Sequence, residues 1–135
     1  SATLALNYLI SCGAPQDWSA HMIGHELTAF YGLDHAETLA IVLPGVWRHQ
    51  FKAKQKKLEQ YAGRVWGLRT AEEAIVKTEE FFHSLKMPTR LGHYKISAEE
   101  AAAKIGARFR ERKVFLGEHG TIGAVAIAEI LRSRA

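Results

Sequence analysis

The sequence GAPQDWSAHMIGHELTAFYGLDHAETLAIVLP, residues 13–44, predicts two helices joined by a tight turn. Apolar residues recur at helical spacing from about Trp18 to Tyr31. Asp17 precedes this segment as its expected N-cap, and Gly32 follows it as a C-terminal stop. A turn this short folds the next segment back over the helix that precedes it, so side chains from the two helices are expected to meet.

The segment after the turn begins with a capping box, because Asp34 is followed three residues later by Glu37. Pro44 is expected to kink this helix or to end it near Leu43, since proline lacks the N–H of a helical hydrogen bond. The two capped helices therefore predict a helical hairpin.

Helical signals continue on both sides of this hairpin. An earlier helix is predicted from Ala2 to about Cys12, where Gly13 stops it. From Val46 to Trp66 the apolar residues keep a helical spacing, which predicts one long amphipathic helix closed by Gly67. Lys54 interrupts that apolar pattern.

Three further helices are predicted from their caps. Thr70 with Glu73 and Ser97 with Glu100 have the spacing of capping boxes, and Thr121 is the expected cap of the last helix. The predicted inward faces carry Ile75, Thr78, Phe82 and Leu85, then Ala98, Ala102, Ile105 and Phe109, and finally Val125, Ala128 and Leu131. The approach loop of the last helix is Leu116–Gly120. Residues 1–135 are thus expected to form a single all-α domain, a bundle of about seven helices.

The composition excludes several classes of protein. The chain has 135 residues, of which 47% are hydrophobic and 24% are charged, and its net charge is +4. These values are typical of one globular domain and exclude a disordered tail or a collagen-like fibre. Cys12 is the single cysteine, so no intramolecular disulfide can form, and we expect a cytoplasmic protein. The apolar run from Leu39 to Trp47 is too short for a membrane helix of about 20 residues, so no membrane partner is expected.

A run of basic residues resembles the electrostatic footprint of a nucleic-acid-binding protein. The run comprises Arg48, His49, Lys52, Lys54, Lys56 and Lys57. Apolar residues at helical spacing lie between these cations, which favours the solvated face of a helix. We therefore expect no nucleic-acid partner.

Three histidines fall close together in the quoted stretch. His21 and His25 are four residues apart and project from one helix face, and the turn folds His35 back over that face. Neutral imidazole is a good ligand for zinc, iron, copper and nickel, so the three can line one metal site. The same spacing is also typical of a partly exposed helix face without a ligand. A zinc protease is excluded, because Ala29 stands where the His-Glu-x-x-His helix needs its second histidine.

The quoted stretch closely resembles the histidine signature of the iron-containing alcohol dehydrogenases. It is most similar to the branch that contains NADPH-dependent aldehyde reductases and butanol dehydrogenases. The similarity continues through Leu39–Pro44, and the rest of the chain resembles the helical C-terminal portion of that family, a fold of the dehydroquinate synthase type.

This resemblance implies roles for the three histidines. His21 and His35 correspond to two ligands of the catalytic divalent ion, with Fe²⁺ as the expected metal and Zn²⁺ as the alternative. His25 corresponds to the catalytic histidine that lies beside substrate and nicotinamide without binding the metal. The implied reaction exchanges a hydride between an alcohol or aldehyde and the nicotinamide of NADP or NAD.

The resemblance also implies parts that this sequence lacks. Family members have an N-terminal α/β domain that binds NAD(P), together with an Asp and a His that complete the metal site. No glycine-rich turn after a strand is present here, so cofactor-binding residues cannot be assigned. We therefore expect a C-terminal fragment that is inactive alone and self-associates as a homodimer. The alternative is a non-catalytic helical interaction module whose histidines are surface groups.

Overall fold

The computed structural model describes residue 3 and residues 9–135, and in these residues it is all-helical, as predicted. Between residues 9 and 135 the α-helices are α1 (Ser19–Tyr31), α2 (His35–His49), α3 (Phe51–Tyr61), α4 (Ala71–Ser84), α5 (Ala98–Arg112) and α6 (Ala124–Arg132). Short 3-10 turns lie at Ile10–Cys12 and Leu91–Tyr94. The first predicted helix, which begins at Ala2, falls largely outside the described residues.

The hairpin of α1 and α2 forms as the sequence predicts. Gly32 ends α1 in the left-handed conformation, with φ of 69°, and its N–H donates to the carbonyl of Thr28. Asp34 and Glu37 form the predicted capping box at the start of α2. At the start of α1 the N-cap position is Trp18 rather than Asp17, although Asp17 accepts a hydrogen bond from the first helical N–H, that of Ser19.

The helix end expected near Leu43 is wrong, because α2 continues through Pro44 to His49; the kink expected as the other outcome stays a prediction. Proline removes one helical hydrogen bond, but Ile41, Val42 and Val46 on both sides of it are buried in the core. The burial of these neighbours stabilises α2 through Pro44.

The single helix predicted for Val46–Trp66 is also wrong in detail. Gln50 interrupts the helical geometry between α2 and α3, although its N–H still donates to the carbonyl of Val46. The last turn, Ala62–Trp66, is a π-helical turn, and Gly67 closes it with φ of 69° as predicted. The spacing of apolar residues predicts that the segment is helical. It does not distinguish an α-helix from a π-helical turn or show the interruption at Gln50.

One large core holds the bundle together. Helix α1 packs against α2, α5 packs against α6, and both pairs contribute to the core. Its fully buried side chains include Ile23, Leu27, Ile41, Leu91, Ile105, Ile127 and Leu131. A smaller cluster of Leu58, Ala71 and Ile75 joins α3 to α4. Among the described residues, no helix combines the length and apolar character needed to cross a membrane.

Two of the predicted inward-facing residues lie outside. Leu85 is 54% exposed and Val125 is 66% exposed, whereas the face of α6 that packs inward carries Ile127 and Ile130. The cap predicted at Thr121 is also wrong, because the N-cap of α6 is Gly123.

The other two predicted caps form with one difference. Thr70 and Glu73 make the full capping box at the start of α4. At α5, Ser97 accepts a hydrogen bond from the N–H of Glu100, but the Glu100 carboxylate pairs with Lys104. An isolated antiparallel bridge pairs Leu116, the first residue of the approach loop Leu116–Gly120, with Ile122 after the loop.

Candidate metal centre

The structure brings His21, His25 and His35 together, with His21 in the first turn of α1 and His35 at the first residue of α2. One ring nitrogen from each histidine lies within 4.8 Å of the other two. The shortest distance is 3.1 Å, between Nε2 of His35 and Nδ1 of His21. The ring centroids of His21 and His25 are 4.1 Å apart, and those of His25 and His35 are 5.1 Å apart. Three residues from two helices therefore form one imidazole cluster.

The two helices hold the histidines in place through a close contact between Gly24 of α1 and the Thr38 side chain of α2. His21 and His25 lie one turn apart on α1, and Gly24 between them lies against Thr38 of α2. A β-carbon at Gly24 would lie 2.7 Å from Oγ1 of Thr38. The same hydroxyl donates a 2.8 Å hydrogen bond to the carbonyl of His35, the first residue of α2.

The surroundings of His21 favour a neutral imidazole. Its side chain is half-buried, while His25 and His35 are exposed. Burial, together with the neighbouring imidazoles of His25 and His35, lowers the pKa of His21 below its ordinary value of 6.5. A neutral imidazole is the form that binds a metal ion.

The geometry and the donor atoms fit a divalent ion. Bonds of about 2.1 Å from one ion to two imidazoles place their nitrogen atoms roughly 3.4 Å apart. The 3.1 Å separation of the His21 and His35 nitrogen atoms is close to that spacing. All three histidines are within reach of one ion, and the division into two ligands and one substrate-side residue comes from the family resemblance.

Two residues that shape this cluster were not predicted from the sequence. Trp18 packs in a T-shaped arrangement with His21 at a centroid distance of 5.2 Å, and its Nε1–H donates to Gln16. Gly24 allows the close approach of the two helices. An isolated glycine inside an amphipathic helix often indicates close packing against a neighbouring element, so the role of Gly24 could have been predicted from the sequence.

Comparison with known proteins gives one family. Residues 2–134 match the model described as "Fe-containing alcohol dehydrogenase family, C-terminal". The NADPH-dependent aldehyde reductase YqhD of Escherichia coli K12 is 44% identical over 128 residues, which cover 90% of this chain and 33% of YqhD. NADH-dependent butanol dehydrogenase A of Clostridium acetobutylicum is 30% identical over 98% of this chain and 36% of its own length.

Solved structures agree with the sequence comparison. A crystal structure of YqhD from E. coli K-12 superposes with a TM-score of 0.89 at 42% identity, covering 99% of this chain and 36% of that one. The substrate- and cofactor-free form of the same reductase gives a TM-score of 0.86, covering 91% of this chain and 34% of that one. The chain thus spans about a third of the length of the relatives it matches.

Proposed function

The chain belongs to the iron-containing alcohol dehydrogenase family, and from that premise we propose that it is the metal-binding C-terminal part of an NAD(P)-dependent alcohol dehydrogenase or aldehyde reductase. The observation that carries this proposal is the approach of the His21 and His35 nitrogen atoms to 3.1 Å. Two imidazoles at this spacing, on neighbouring helix ends, suit one divalent ion.

Each histidine has a role in this proposal. His21 and His35 hold the ion through one ring nitrogen each. When bound, the ion supplies Lewis acidity toward the oxygen of an alcohol or aldehyde. His25 is exposed beside them and orients the substrate or moves a proton at its free ring nitrogen. Trp18, whose ring packs in a T-shaped arrangement with His21, limits the space on that side of the cluster.

The metal is proposed to be Fe²⁺, with Zn²⁺ as the alternative. Iron is the metal in the description of the matching family, and imidazole binds both ions well. Two or three imidazoles leave positions for further ligands, which we assign to the part of the parent enzyme that precedes this chain.

The nicotinamide cofactor is also assigned to that preceding part. The relatives named above include an NADPH-dependent reductase and an NADH-dependent dehydrogenase, so both cofactors are compatible with the family. The hydride chemistry belongs to the nicotinamide, and this chain contributes the metal ligands and one wall of the site. Alone, the chain is proposed to bind metal without turning over substrate.

A metal titration tests the proposal. Purified chain is titrated anaerobically with Fe²⁺, and in parallel with Zn²⁺, by calorimetry. We expect one ion per chain, with affinity reduced by about tenfold or more in His21→Ala and His35→Ala, because each removes a ligand. His25→Ala is expected to retain most of the affinity.

His119→Ala is the matched control, because His119 is exposed and is not one of the three clustered histidines. It is expected to bind as the unmodified chain does. Failure of the unmodified chain to bind either ion would favour the non-catalytic interaction module instead. Turnover of butyraldehyde with NADPH by the chain alone would contradict the proposal that it is an inactive part of a longer enzyme.

A further inference from the structure

Lys54 occupies a position where the helical spacing of α3 calls for an apolar residue, and the structure explains why. Its side chain is 16% exposed, and its Nζ lies 2.9 Å from Asp17 Oδ2 and 2.7 Å from Glu118 Oε1. The ammonium group therefore joins α3 to the segment before α1 and to the loop before α6. These three elements are far apart in the sequence.

Asp17 in turn holds the start of α1. Its Oδ1 accepts a 2.9 Å hydrogen bond from the N–H of Ser19 and a second one from the Ser19 hydroxyl. Ser19 is the first residue of α1 and is fully buried. One carboxylate thus binds the helix start with one oxygen and Lys54 with the other.

The burial of the pair makes it stronger than an exposed ion pair. The Asp17 side chain is 13% exposed, so solvent screens it little. Burial opposes ionisation of Asp17, but the bonds from Ser19 and Lys54 outweigh it and lower the pKa of Asp17. Burial likewise opposes the charge on Lys54, and its bonds to Glu118 and Asp17 outweigh that and raise the pKa of Lys54. Both groups are therefore charged at neutral pH.

This ion pair is connected to the histidine cluster through the start of α1. Trp18 follows Asp17 in the sequence and packs in a T-shaped arrangement with His21, which lies in the first turn of α1. A shift of this turn moves His21 relative to His35 on α2, and a spacing of 3.1 Å tolerates little movement. Metal sites lose affinity when the groups that orient their ligands are removed.

We propose that Lys54 is a positioning residue of the metal centre: through Asp17 it fixes the first turn of α1 so that His21 meets His35. The inference rests on the proposed function, in which these two histidines bind the ion. Glu118 shares the ammonium group but is 39% exposed, so its contribution is smaller.

The test compares Zn²⁺ affinity in single and double variants of the whole chain. We expect Lys54→Met to bind Zn²⁺ about tenfold more weakly, because the methionine keeps the volume and removes the charge. Asp17→Asn is expected to give a similar loss, and the double variant no more than either single variant, since both act through one contact. Lys56→Met, an exposed position on the same helix, is the matched control and is expected to leave the affinity unchanged.

A merely structural role predicts a different result. It would lower the melting temperature of Lys54→Met and leave the affinity of the folded protein unchanged, and that outcome would overturn the inference. Lys54→Arg keeps the positive charge and is expected to retain most of the affinity. It also serves as the folded comparison if Lys54→Met does not fold.

A metal-free measurement separates this inference from the proposed function. In NMR spectra without metal, Lys54→Met is expected to shift the His21 imidazole and Trp18 indole signals, whereas Lys56→Met is not. If the unmodified chain binds no Zn²⁺, the proposed function fails while these signals still decide the role of Lys54. Unmoved signals in Lys54→Met would overturn that role.

Discussion

Gly24 of α1 and Thr38 of α2 approach so closely that a β-carbon on Gly24 would lie 2.7 Å from Thr38 Oγ1 and 3.3 Å from Thr38 Cβ. Gly24 lies between His21 and His25 in the sequence, and the Thr38 hydroxyl donates a hydrogen bond to the carbonyl of His35. A close contact between the two helices thus falls at the level of the histidine cluster. This contact makes the cluster spacing sensitive to a single methyl group.

Gly24→Ala is expected to weaken Zn²⁺ binding and to destabilise the fold. The new methyl group forces α1 away from α2, and overpacking of this kind costs about 1–3 kcal/mol. Calorimetric titration measures the affinity, and urea denaturation measures the free energy of unfolding. Thr38→Ala in the same chain removes the nearest atom and is expected to restore part of both losses.

Gly13→Ala is the control for this substitution, because no atom of the residues that the structure describes lies within 4 Å of a β-carbon built there. It is expected to leave Zn²⁺ affinity unchanged. A Gly24→Ala chain with unaltered affinity would show that the helix separation does not determine the spacing of the histidines.

Arg134 near the C-terminus is fully buried and pairs with Glu79 of α4. It also donates a 2.8 Å hydrogen bond to the carbonyl of Thr89, and its side chain packs against Gly45 of α2. Arg134→Met is expected to lower the free energy of unfolding by about 1.5–3 kcal/mol, because Glu79 loses one charged hydrogen-bond partner and keeps Arg48. Urea denaturation followed by circular dichroism measures this loss.

The control for Arg134 is Arg110→Met, at an exposed position on α5. It is expected to change the free energy of unfolding by less than about 0.5 kcal/mol. The double variant Arg134→Met with Glu79→Gln is expected to lose less free energy of unfolding than the sum of the two single variants. Each single variant leaves one charge of the pair in place, whereas the double variant removes both charges. Additive losses would mean that the pair is not coupled.

Acid is expected to destabilise the protein through Asp17 and Glu79. Burial raises the pKa of Glu79, but bonds from Arg134 and Arg48 outweigh it, so the pKa lies below the ordinary 4.5. The pKa of Asp17 is likewise below its ordinary 3.8. The unfolded chain therefore binds protons at higher pH than the folded one, and the stabilisation by these carboxylates is lost as the pH falls below about 5.

Urea denaturation at pH 7 and at pH 4, with ionic strength held constant, measures this dependence. Glu79→Gln is expected to be less stable than the unmodified protein at pH 7, with a smaller difference at pH 4. A difference that stays constant between the two pH values would assign the acid sensitivity to other groups.

The histidine cluster could be predicted from the sequence because its determinants are local. The four-residue spacing of His21 and His25, the stop at Gly32 and the capping box after it all lie within one short stretch. Together they set the direction of the reversal. Resemblance to a family then assigned roles that spacing alone left open.

Features that depend on distant residues were not predictable in the same way. Lys54 looked like an interruption of an apolar pattern, because its partners Asp17 and Glu118 come from other parts of the chain. Pro44 looked like a helix end, because burial of its neighbours was not visible in the local sequence. In each case tertiary contacts outweighed local propensity.

Two threonines that were both predicted to be helix caps provide a last test of this difference. Thr70 accepts a hydrogen bond from the Glu73 N–H at 3.2 Å, and the Glu73 carboxylate accepts one from the Thr70 N–H at 2.9 Å. Thr121 is exposed and precedes a helix whose N-cap is Gly123. Thr70→Ala is expected to lower the free energy of unfolding by about 1 kcal/mol, because it leaves a helix N–H unpaired. Thr121→Ala is expected to change the free energy of unfolding by less than about 0.5 kcal/mol. Equal losses for the two variants in urea denaturation would indicate that Thr121 caps α6 after all.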